Sequence, residues 1–153
     1  MGRKYSVYTA STTLTTAATK TLILLNPAGA GITLVEFGIS LDNTTTNAEP
    51  VLIELCRATT IGTPAGTTGT LNPTDEAFEA ATATALTILT TEPTTYARLA
   101  GWYVQPNSGI VIRQDPLGRE LAVTKAAGQR IGLRYTTASG VTPKAVAYTI
   151  HEE

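Results

Sequence analysis

The sequence predicts an all-β protein: an antiparallel β-sandwich, jelly-roll-like, with long Thr/Pro/Gly-rich loops and at most one short helix. Three observations lead there. Apolar residues recur at alternate positions in nearly every structured run, which is the period of a strand with one buried face. Those runs are short and return at intervals of roughly 8–15 residues, separated by Gly, Pro and Asn clusters. Finally, 30 threonines and 21 alanines make up a third of the 153-residue chain. Threonine is β-branched and suits a pleated backbone, and with only 6% aromatics the core rests on aliphatic side chains.

Taken in order, Arg3 to Thr9 places Tyr5, Val7 and Thr9 on one side of a short strand. Lys20 to Leu25 is a β-compatible apolar run halted by the turn signal Asn26-Pro27-Ala28-Gly29-Ala30-Gly31. Ile32 to Leu41 is the clearest strand, with Val35, Phe37, Ile39 and Leu41 facing one way and Leu34, Glu36, Gly38 and Ser40 the other. A polar loop, Asp42 to Asn47, follows. Val51, Ile53 and Leu55 then alternate with Leu52, Glu54 and Cys56. From Thr59 to Pro73 the pattern dissolves into Gly, Pro and Thr, a long surface excursion.

Asn72-Pro73-Thr74-Asp75 has the makings of a helix start, with Asn72 as N-cap and Pro73 at the first position, running to about Ala81. Thr and Ala then alternate in strand fashion toward Leu86 and Ile88, and Glu92-Pro93-Thr94-Thr95 makes a break. Arg98 to Val104 and Gly109 to Gln114 read as two strands of a hairpin closed by Gln105-Pro106-Asn107-Ser108-Gly109. Glu120 to Thr124, Gln129 to Tyr135 and Lys144 to His151 complete the set. Ala126-Ala127-Gly128 and Ala138-Ser139-Gly140-Val141 separate them. The length and the 16.0 kDa mass suit one β-sandwich domain over 1–153, with an extended N-terminal segment at about 1–11.

Composition excludes several classes. Eleven basic against twelve acidic residues give a net charge of -1, too weak and mixed to hold a phosphate backbone. One Cys makes no internal disulfide, and one Cys with one His makes no zinc site. The longest apolar run, Leu22-Ile23-Leu24-Leu25, is far short of the roughly 20 residues of a bilayer span. Met1-Gly2-Arg3-Lys4-Tyr5-Ser6 lacks an apolar h-region and matches the myristoylation pattern only as a short string that recurs by chance. Asn43-Thr44-Thr45 fits a glycosylation sequon but reads as a loop signal. No nucleic acid or membrane is expected as a partner.

Candidates for chemistry are few. Cys56 and His151 are the one thiol–imidazole combination; Cys56 reads as a small core residue, and His151, among the last three residues, as solvated. Asp75, Glu76 and Glu79 lack the alternating ladder of a calcium loop and read as a solvated helix start. Asp115-Pro116-Leu117-Gly118 reads as a turn. The glycines near 29–31 and 62–69 precede no Lys-[ST] and are not phosphate loops. Arg113, Arg119, Lys125, Arg130 and Arg134 gather toward the C-terminus; on strands they suit one basic stripe for a nucleic acid, but pairing or solvation is the expectation. Trp102-Tyr103 reads as a core or interface anchor in preference to a sugar platform. Catalytic, cofactor-binding and metal-ligating residues are therefore expected to be none, and no enzyme is predicted.

Laid end to end, the pattern has a recognisable order. It begins Arg3-Lys4-Tyr5, a strand into Asn26-Pro27, Val35-Glu36-Phe37-Gly38-Ile39-Ser40 and Val51-Leu52-Ile53-Glu54-Leu55-Cys56-Arg57. It continues through the Thr/Pro/Gly excursion, Glu92-Pro93-Thr94-Thr95, Gly128-Gln129-Arg130-Ile131-Gly132-Leu133 and a closing alternating strand. This order resembles the small jelly-roll capsid decoration, or cement, proteins of tailed bacteriophages. The resemblance implies a non-enzymatic virion protein on the capsid exterior, made in the host cytoplasm, homo-oligomeric (a trimer) and partnered by the major capsid protein. Met1 to Ser11 and Thr59 to Pro73, poor in core signal, would be the segments that reach across subunits. Another virion part (head fibre base, neck or tail) and a carbohydrate-binding or adhesive module are the alternatives.

Overall fold

In the computed structural model, which describes residues 2–43, 49–60, 62–113, 121–123 and 129–153, the alternating runs become strands and no helix forms among the described residues. In chain order these are β1 (Lys4–Tyr8), β2 (Thr12–Thr13), β3 (Thr19–Asn26), β4 (Ile32–Asp42), β5 (Val51–Thr60), β6 (Ala65–Gly69) and β7 (Asn72–Pro73). There follow β8 (Thr84–Thr91), β9 (Thr95–Val104), β10 (Gly109–Arg113), β11 (Leu121–Val123), β12 (Arg130–Thr136) and β13 (Lys144–Glu152). They make two antiparallel sheets. The front sheet runs β10-β4-β13-β1-β7, with β11 on β4 and β2 on β13; the back sheet runs β6-β8-β3-β12-β5-β9. Between them lies an aliphatic core that includes Val7, Ile23, Leu25, Phe37, Ile39, Ile53, Ile131 and Leu133. Each such side chain contributes about 1.5–3 kcal/mol by leaving water. This is the β-sandwich that the alternation predicts.

Alternation fails where strands carry an extra residue. On β4, Phe37, Ile39 and Leu41 are buried as expected, but Leu34 is buried too and Val35 is not. Glu36 lies opposite Ile150 while Leu34 lies opposite His151, so Val35 is a β-bulge and the phase flips there. The same happens on β3, where Thr21 faces Arg134 and Ile23 faces Leu133, leaving Leu22 unmatched. Leu22 and Ile23 consequently both enter the main core, while Leu24 points to the other side of the back sheet.

The back sheet is also curled. β8 and β9 are separated by three strands, about 19 Å if the sheet were flat, yet the connection from Thr91 to Thr95 can reach only about 14 Å. Curling wraps a second small core of Leu24, Ala58 and Leu89 under Leu86 and Tyr96. Ile88, a β-branched residue at φ 51°, marks the bend in β8. Glu92 ties the crossing to β3: its carboxylate accepts from the Thr21 amide at 2.8 Å and from the Thr21 hydroxyl, and from the Tyr96 hydroxyl at 3.3 Å. Tyr96 lies over Gly132, with the Arg134 guanidinium 4.1 Å from its ring centre.

Four expectations need correction. The helix over 72–81 does not form: Asn72–Pro73 pairs with β1, and a turn follows in which the Asp75 side chain accepts from the Ala77 amide. So short a segment has little helix stability of its own, and the β1 edge offers it hydrogen bonds at once. The strands at 98–104 and 109–113 do not form a hairpin; β9 pairs with β5 in the back sheet and β10 with β4 in the front sheet. Buried Val104 and Pro106 carry the connection across the core edge. The excursion 59–73 contains β6 and β7, edge strands that bury too little to show a period. The N-terminal segment is not an arm: β1 lies between β13 and β7, with Tyr5 and Val7 fully buried. The loop at 44–47, the turn Asp115 to Gly118 and the separator Ala126 to Gly128 lie outside the described residues.

Candidate functional site

Cys56 and His151 are held on different sheets. Cys56 sits on β5 facing away from the main core and is buried beside Arg134, and burial pushes its thiol pKa up. A thiol held in its neutral form is a poor nucleophile. Cys56 should therefore resist a thiol reagent such as DTNB in the native protein and react promptly in urea. Cys56→Ala should cost on the order of 1 kcal/mol, read as a shift in the urea midpoint.

His151 is the larger correction, because its ring is completely buried. β13 is an inner strand up to its last residues, flanked by Tyr5 of β1 and Leu34 of β4, so the C-terminal stretch does not fray. The Tyr5 and His151 ring centres are 5.9 Å apart, and the Tyr5 hydroxyl donates to the Glu79 carbonyl at 2.8 Å. Nε2 of His151 lies 3.4 Å from the Glu153 carboxylate, while Nδ1 has no partner. Burial holds the His151 pKa below its ordinary value, outweighing the pull of Glu153. Glu153 reaches across to the back sheet's approach and accepts from the Thr82 amide at 2.8 Å, the Thr82 hydroxyl at 2.7 Å and the Ala83 amide at 3.1 Å. Burial pushes its pKa up, but these donors win and hold it below the ordinary range.

The other candidates separate. Glu79 turns to Arg3 at 2.5 Å and Asp75 caps its own turn, so the three acids near 75–79 do not converge. Arg113 belongs to the front sheet, where it pairs with Glu36 at 2.6 Å, whereas Arg130 and Arg134 lie on the back sheet. They share no stripe; Arg119 and Lys125 lie outside the described residues. Trp102 and Tyr103 divide. Trp102 packs on Phe37 with ring centres 5.4 Å apart, and Tyr103 is 75% exposed.

What the sequence reading missed is an apolar row across the outward face of the front sheet. The register sets Tyr8 beside Tyr148, Tyr148 beside Gly38 and Gly38 beside Val111, crossing β1, β13, β4 and β10. Val146 and Ile150 flank the row on β13. Tyr8 is 64% exposed, Val111 59% and Val146 43%. Gly38, Gly109, Val111, Val146 and Tyr148 line a hollow of about 300 Å³, with the Tyr148 ring lying over Gly38. One charge pair bordering it is internally satisfied, since Glu36 accepts from the Tyr148 hydroxyl at 2.5 Å and from Arg113. On β13 the small Ala145 and Ala147 are inside and the larger Val146 and Tyr148 outside, so hydrophobic alternation alone points the wrong way. The chain matches no protein-family model, no curated protein and no solved structure.

Proposed function

We propose that this chain is a non-enzymatic virion structural protein that decorates an assembled tailed-phage capsid from outside and stabilises it by bridging neighbouring subunits of the major capsid protein. It is made in the host cytoplasm and acts as a symmetric homo-oligomer. The observation that supports this reading is the neutral apolar row of Tyr8, Tyr148 and Val111 on a rigid sheet face. Contiguous exposed apolar surface of this kind marks an interaction site, and the Glu36–Arg113 pair at its border is already neutralised. Threonine-rich surroundings add stiff side chains that lose little entropy at an interface. A protein that binds the assembled shell and not its loose subunits raises shell stability by mass action.

Shells stripped of the protein should survive heating less well. Adding it back should restore survival and saturate at a fixed copy number per shell. Val111→Asp places a charge on the row at an exposed site, so the chain should stay folded while binding weakens by roughly a hundredfold. No binding at micromolar concentration would end the proposal, and binding to tails alone would move the protein to another part of the virion.

A further inference from the structure

A different surface, the edge of β9 that no strand covers among the described residues, carries a second conclusion: a two-fold pairing in place of the trimer that the resemblance implies. The sheet edges are unequal. β7 is two residues long and contains Pro73, β6 is short and breaks register between Ala65 and Thr67, and β10 ends in the Arg113–Glu36 pair. Shortness, proline, bulges and charge are the usual means by which an edge avoids pairing. β9 runs for ten residues without proline, and its one charged side chain, Arg98, is already neutralised by Glu54. Its pairing with β5 slips twice, at Leu99 between Ala100 and Arg98 and again between Tyr96 and Thr95, leaving Ala100–Val104 as a regular outer stretch.

Within that stretch two features lack an explanation inside one chain. Gly101 sits on the outward face opposite Glu54, and an added Cβ would meet only ordinary contacts, the nearest at 3.5 Å. Nothing in the fold requires glycine there. Tyr103, two positions on and on the same face, extends its ring into water. We infer that two copies of the chain pair antiparallel through β9, with Trp102 at the two-fold axis and Gly101 of each opposite Tyr103 of the other. In that register each tyrosine ring covers the glycine gap across the interface, the way an aromatic rescues a strand glycine. The contact is made twice, as a two-fold interface demands, and joins the two back sheets into one. Arg98 brings no repulsion, because Glu54 neutralises it in each copy.

The test is the mass of the purified full chain in solution by light scattering and sedimentation, with folding followed by circular dichroism. Twice the chain mass is expected at micromolar concentration. Tyr103→Lys alters an exposed side chain, so folding is kept and the pair should weaken at least roughly tenfold. Gly101→Asp should weaken it similarly. The double variant should recover most of the loss, because each carboxylate then faces the ammonium of the other copy. If Gly101→Asp does not fold, Tyr103→Lys alone decides. A monomer at tens of micromolar, a trimer, or a dimer indifferent to Tyr103→Lys overturns the inference.

Discussion

A chain lacking residues 2–11 is expected to be unfolded or insoluble, and not merely unable to bind a partner. The deletion removes β1, an inner strand with β13 on one side and β7 on the other. Tyr5 and Val7 are lost from the core, and Thr9, whose hydroxyl accepts from the Ala147 amide at 3.0 Å, goes with them. The Tyr5 ring also covers His151, and its hydroxyl fastens the turn at Glu79. Truncating one buried ring costs about 3–5 kcal/mol, and an entire domain has only about 5–15 kcal/mol to lose. Removing the ring, the valine and a row of ladder hydrogen bonds together exceeds that reserve. Soluble yield, far-ultraviolet circular dichroism and a thermal melt of the deleted chain check the point. A folded, cooperatively melting product would return residues 2–11 to the status of a dispensable arm.

The second large effect is acid lability centred on His151. Its folded pKa is depressed by burial, so the native ring stays neutral while an unfolded chain takes up a proton near the ordinary value of 6.5. That contribution to stability is complete above about pH 7 and falls away as the pH drops through 6.5 toward the lower folded value. Glu153, also depressed, adds a further loss below its ordinary 4.5, shared with Glu36. Urea midpoints at pH 7.5, 6, 5 and about 3.5 should therefore decline in that order. His151→Phe, which fills the site without titrating, should remove the upper part of the decline and leave the lower part. His151→Ala should destabilise at every pH by on the order of 2–4 kcal/mol, as large-to-small changes do in a fully buried site. Equal midpoints at pH 7.5 and 5 would contradict the assignment.

These expectations reverse two readings that were sound as local inferences. His151 stands two residues from the end of the chain, where side chains are usually solvated. Its burial follows from β13 being flanked by β1 and β4, a pairing between residues more than a hundred positions apart. Residues 2–11 lack the apolar density of a core strand, yet Tyr5 and Val7 suffice once β1 has neighbours on both sides.

By itself the sequence determined the class of this protein. Period-two alternation in short runs, threonine and aliphatic bulk, and turn clusters between them dictate an antiparallel sandwich, because these are properties of each strand taken alone. It also placed Cys56 in buried surroundings from the same local pattern. Tertiary structure alone decided which strands pair, where the bulges at Leu22 and Val35 flip the alternation, and that 98–104 and 109–113 part to different sheets. It likewise decided that Val146 and Tyr148 face water while Ala145 and Ala147 face the core. The physical reason is that a strand's side chains alternate whatever its partner. Which face is buried, and which edge stays open, depends on the neighbour that long-range pairing supplies.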